Sequence, residues 1–109
     1  MLYDKIIKSW KDGDMTAWRE CLHDDWEMLF HSSGRIARKG DANPEEWASF
    51  VKTLDRKNQR CLYENDDILV IHEFITFPSG DTEAVMNVSI KKDGLLWRTE
   101  TGATPINPD

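Results

Sequence analysis

Glu73 is the carboxylate of this chain best placed for chemistry. It stands in the run ILVIHEFITF, residues 68–77, among apolar neighbours. Alternation along a strand puts it on one face with Leu69, Ile71, Ile75 and Phe77. Desolvation disfavours a charged carboxylate, so a Glu in such surroundings can serve as general acid or base. The competing reading is structural: an arginine such as Arg35 or Arg38 holds it, or the opposite register exposes it. His72 falls on the other face, where a histidine belongs more often to an interface than to a catalytic site. A one-residue bulge in both flanking turns would exchange the two. His31 ends the strand-like segment Asp25–Ser32 and can act as a proton shuttle at a pocket rim, or simply lead into a loop. His23 reads as a partner for a helix C-terminus. The chain has no H-x-x-x-H, no C-x-x-C and no Asp-rich calcium loop, so no metal site is expected. Nucleophile motifs of the G-x-S-x-G type and phosphate-cradling glycine loops are absent as well, and no cofactor is expected.

Turns decide which residues join Glu73. Ser79-Gly80 and Asp93-Gly94 are two-residue turn signals, because Gly reaches positive φ at no steric cost. Tips at these pairs set Glu73 opposite Met86, Val88 opposite Thr99, and Met86 opposite Thr101. The more apolar face then carries Glu73, Met86, Val88, Trp97, Thr99 and Thr101. His72, Phe74, Val85 and Asn87 take the other. Hydroxyls of Thr99 and Thr101 inside an apolar cavity can orient a ligand, or can satisfy each other.

The upstream half must cover that face. Tyr3, Ile6, Ile7 and Trp10 recur at helical spacing, predicting a helix over 2–11 that Asp12-Gly13 ends. Asp14 is a candidate N-cap for a second helix, which buries Met15, Trp18, Cys21 and Leu22 and stops near His23-Asp24. A polar segment with a short strand follows, over 35–42. Asn43-Pro44-Glu45-Glu46 starts a third helix, with Trp47, Phe50, Val51 and Leu54 on its buried side. Residues 56–58 read as a connection and 59–64 as a strand. Helices on one face of an antiparallel sheet make an α+β domain, here one domain over 1–109.

Composition limits the partners. The net charge is −6 and no basic run occurs, which argues against nucleic acid. No apolar run is long enough to span a membrane, and the charged, amphipathic N-terminus is unlike a secretory signal. Cys21 and Cys61 read as reduced packing residues of a cytoplasmic protein, with a disulfide or reactive thiol as the alternative.

The order of elements, together with Gly13-Asp14, Asp24-Asp25-Trp26 and Asp93-Gly94-Leu95-Leu96-Trp97-Arg98, resembles the nuclear transport factor 2-like superfamily. That superfamily includes SnoaL-like proteins and ketosteroid isomerases. The resemblance covers essentially the whole chain. It implies a cone-shaped curved antiparallel sheet around a long helix (a cystatin-like roll), with a pocket at the open end and, in many members, dimerisation through the outer sheet face. The isomerases' helix-1 tyrosine falls near Ile6, their aspartate base near Phe30 and their second donor near Met86. Without a base or donors there, steroid isomerase activity is not expected.

The expectation is a homodimeric protein binding an apolar or aromatic small molecule. The pocket lining expected is Trp26, Phe30, Trp47, Phe50, Met86, Trp97, Thr99 and Thr101. One rival is an isomerase, lyase or hydrolase using Glu73, alone or with His31, for proton transfer. The other is a protein-interaction module working through the outer sheet face, with His72, Phe74 and Val85.

Overall fold

The structure, a computed structural model, describes residues 1–41 and 43–106. Three helices, α1 (Leu2–Asp12), α2 (Met15–Glu20) and α3 (Pro44–Lys52), cover one face of a six-stranded sheet. The strands are β1 (Leu22–Phe30), β2 (Ile36–Arg38), β3 (Asp55–Glu64), β4 (Ile68–Thr76), β5 (Thr82–Lys92) and β6 (Leu95–Pro105), in the order β2-β1-β6-β5-β4-β3. None of the helices is long and apolar enough to cross a membrane.

Local chemistry sets the helix ends. Gly13 closes α1 in the left-handed region, at φ 67°. Asp14 accepts from Ala17 N at 3.0 Å and starts α2. Asn43 Oδ1 accepts from the amides of Glu45 and Glu46 and starts α3. Glu64 on β3 receives the first amides of α1, at Leu2 and Tyr3, and pairs with Lys91 at 2.8 Å in a nearly solvent-free site. The helix is thereby tied to the sheet by charge as well as by packing. Ile6, Cys21, Leu22, Trp26, Leu69, Ile71 and Leu96 form the core. Trp18 packs edge-on to Trp26 of this core and Trp10 packs on Trp18, with centroids 6.2 and 5.2 Å apart.

Several expectations need correction. The sheet is mixed rather than wholly antiparallel, because β1 runs parallel to β6. No short hairpin links these two strands, so no turn forces them to oppose. Helix α2 ends at Glu20, and His23 lies on β1, where its Nδ1 accepts from Asp25 N. Residues 56–58 belong to β3. There Asn58, at φ 55°, marks a break in the pairing with β4. Such bulges bend a strand and help the sheet curve over the helices.

The register also differs. The β4–β5 loop spans Phe77 to Asp81, closed by Phe77 N→Asp81 O and Gly80 N→Phe77 O, both 2.9 Å. Thr76 pairs with Thr82, Glu73 with Val85, and His72 with Met86. This slip of one residue turns Val85, Asn87 and Ser89 inward, and Met86 and Val88 outward. Asp93-Gly94 is the second tip as expected, but a bulge between Ile90 and Lys91 shifts the register again. The two shifts cancel on β6: Thr99 and Thr101 point inward. Trp97 is the extra residue of the bulge and sits outside, with Arg98 and Lys92 against its ring at 4.1 and 5.2 Å.

Candidate ligand cavity

Helices and concave sheet face enclose a cavity of about 300 Å³. Helix α1 contributes Ile6 and Trp10, and α2 contributes Met15 and Trp18. Trp26, Met28 and Phe30 come from β1, and Trp47, Phe50 and Val51 from α3. Ile71, Ile75, Val85 and Leu96 complete an apolar wall. The volume and lining suit a small organic molecule.

Polar groups cluster along the middle of the sheet. Thr99 Oγ1 accepts from Trp26 Nε1 at 3.0 Å and lies 2.8 Å from Ser89 Oγ. This buried trio forms the floor. One strand pleat further on stand Asn87 and Thr101, paired across β5 and β6. Asn87 Oδ1 is shielded from solvent and has no hydrogen-bond partner among the described residues. A buried acceptor left unpaired is costly, by about 1–3 kcal/mol. Phe77, Glu83 and Ala103 lie toward the more exposed end. Phe50, also in the lining, is half exposed.

Of the residues expected in the lining, Trp26, Phe30, Trp47, Phe50, Thr99 and Thr101 do line the cavity. Met86 does not: it is 42% exposed on the outer sheet face, because of the slip at the β4–β5 loop. Trp97 does not, because of the β6 bulge. Asn87, expected on the outer face, belongs to the inner one. A loop that pairs Thr76 with Thr82 would have revealed it. Their hydroxyls meet at 2.8 Å, a cross-strand match of two like side chains.

Glu73 faces inward and is fully buried, at 0% exposure, yet it does not line the cavity. Arg56 lies over it, donating from Nη1 at 2.7 Å, and Gln59 Nε2 donates at 3.4 Å. The Arg56 guanidinium also stacks on Trp10, 4.4 Å from the ring centroid. Its partner is therefore an arginine on β3, not Arg35 or Arg38. His31 stands at the other side of the sheet, beyond β1's end. Its Nε2 meets Glu100 Oε1 at 2.8 Å, with both side chains more than half exposed. Its ring packs against Gly102, where a Cβ would come within 3.1 Å of Nδ1. Glu73 and His31 are thus not brought together. His72 is on the outer face, edge-on to Phe74 at 5.2 Å.

A curved sheet folded over three short helices, with an apolar cavity between, defines a class of small α+β folds. No family model matches the chain, and no curated protein does. Solved structures match it over nearly its whole length. A nuclear transport factor 2-like protein of unknown function from Cytophaga hutchinsonii superposes with TM-score 0.71 at 14% identity, covering 94% of this chain and 96% of that one. A Kribbella flavida protein provisionally designated a ketosteroid isomerase gives TM-score 0.72 at 11% identity, over 99% and 78%. A nuclear transport factor 2-like protein of unknown function from Burkholderia xenovorans gives 0.66 at 11%, over 98% and 81%. At these identities the likeness is one of fold. The chain has the nuclear transport factor 2-like fold.

Proposed function

We propose that this protein binds an apolar or aromatic small molecule in the cavity between the helices and the concave sheet face. The observation that carries this reading is the lining itself: aromatic and aliphatic on every wall, with Asn87, Ser89, Thr99 and Thr101 gathered on one strip. Such a division lets apolar contact supply affinity and a few polar groups fix orientation. Among the described residues, the charged groups lining the cavity are Arg56 and Glu83, and Arg56 is engaged by Glu73. Glu73 in this reading anchors Arg56 rather than moving protons. The two free thiols, Cys21 and Cys61, suit a cytoplasmic setting.

A thermal-shift screen of apolar and aromatic compounds tests the reading. A ligand at about a hundred times its Kd should stabilise the fold by about 2.7 kcal/mol. No shift with any compound, together with a crystal showing a solid interior, would defeat it.

The outer sheet face supports a second element, homodimerisation. Met86, Val88 and Ile90 on β5 are exposed there, alongside Phe74 and His72 on β4. Contiguous exposed apolar residues mark interaction sites. Sedimentation of the wild-type chain should give a dimer, and Val88→Glu a monomer. A monomeric wild type would end this part of the reading.

A further inference from the structure

A second cleft, of about 440 Å³, lies beside the apolar cavity. The two adjoin, with Met15, Trp18, Trp26, Phe30, Trp47 and Phe50 lining both. The second cleft has a different charge. Arg19, Arg35, Arg38 and Lys39 line it against Asp41 and Glu46. This cationic surplus stands on a chain of net charge −6.

Two of the four cations are neutralised. Arg38 reaches Glu27 at 3.4 Å, and Lys39 reaches Asp24 at 3.2 Å. Arg19 and Arg35 have no carboxylate within ion-pair distance among the described residues. Arg19 Nε is shielded from solvent and makes no hydrogen bond there. Arg35 holds its guanidinium 5.8 Å from the centre of the Phe30 ring, and Phe30 belongs to both cavities. One guanidinium without a carboxylate partner therefore sits beside a ring that lines both cavities, and another has a buried N–H to offer. Guanidinium groups present planar forks of donors matched to a carboxylate.

We propose that the two adjoining cavities open into one another and take one amphipathic ligand: an apolar body among the tryptophans, and a single carboxylate held by Arg19 and Arg35. This rests on the apolar-cavity reading above and adds the ligand's charge and the residues that recognise it. Long-range repulsion from an acidic chain disfavours any anion, so a measured preference for one isolates the local arginines.

Calorimetric titration with octanoate and 1-octanol, which share an alkyl chain, tests it. At low salt, octanoate should bind about tenfold tighter, the difference expected of a charge-assisted pair over a neutral contact. Raising salt to about 0.5 M should shrink that advantage and leave octanol unchanged. Arg19→Gln with Arg35→Gln should abolish the advantage. Arg35→Gln alone, at an exposed position where folding is not at stake, should cut it by about threefold. Equal binding of both probes by the wild type would overturn the carboxylate assignment and leave the apolar cavity standing, as would an advantage that survives both substitutions. Binding of neither probe would overturn the cavity reading and this proposal with it.

Discussion

Replacing Arg56 with Met should destabilise this fold far more than loss of an ordinary surface arginine. Glu73 is completely buried, and Arg56 Nη1 at 2.7 Å is its close charged partner, with Gln59 at 3.4 Å. Removing one member of a buried pair strands the other charge, at a cost of about 3–5 kcal/mol. Arg56 keeps 20% of its side chain exposed, which places the expected loss near the lower end. Loss of its stacking on Trp10 adds about 1 kcal/mol. For a domain of this size each kcal/mol moves Tm by about 4–8 °C, so Arg56→Met should melt at least about 12 °C lower. The double variant Arg56→Met with Glu73→Leu removes both charges and should recover all but about 1 kcal/mol. Urea unfolding at constant m-value measures each corner of the cycle. A loss below about 1 kcal/mol for Arg56→Met would refute the reasoning, because that is the behaviour of a solvated pair.

Other outcomes follow from neighbouring features. Asn87→Leu removes an unpaired buried acceptor and should raise unfolding free energy by about 1 kcal/mol in urea, whereas a decrease would mean the carboxamide is satisfied within the chain. Burial pushes the thiols of Cys21 and Cys61 up, and burial also raises Tyr3. Groups whose folded values exceed their unfolded ones lend stability below the unfolded value and lose it as pH climbs toward the folded one. Urea midpoints should therefore hold from about pH 7 to the ordinary thiol range and fall toward about pH 10. Cys21→Ala should flatten that fall, and an unchanged slope would contradict the assignment.

Much of this architecture was legible because local signals were unambiguous. Gly13-Asp14 and Asn43-Pro44 end and begin helices where the capping geometry says they should. The inward orientation of Glu73 followed from plain alternation of Leu69, Ile71 and Ile75, all buried. Strand partners were less legible, since the β1–β6 pair is parallel and joined only through the rest of the chain. The faces of β5 failed for a different reason. Ser79-Gly80 has the composition of a two-residue tip, yet Asp81 and Pro78 also sit in the loop. A parity change of one residue inverts every side chain downstream. The compensating bulge at Trp97 hid the error on β6, so Thr99 and Thr101 were placed correctly through two slips of opposite effect. Asn87, the unpaired amide at the heart of the cavity, was lost through the first slip alone. The partner of Glu73 is out of reach as well, because the sequence pattern gives Arg56 to a connection, whereas it is a residue of β3 that reaches inward.

The most direct test of the account is a crystal of the protein soaked with iodobenzene, a small apolar molecule whose iodine scatters anomalously. An iodine peak is expected between the helices and the sheet, among Trp26, Trp47, Val85 and Thr101. Saturating soaks that leave the interior without a peak, with those side chains packed against one another, would contradict it.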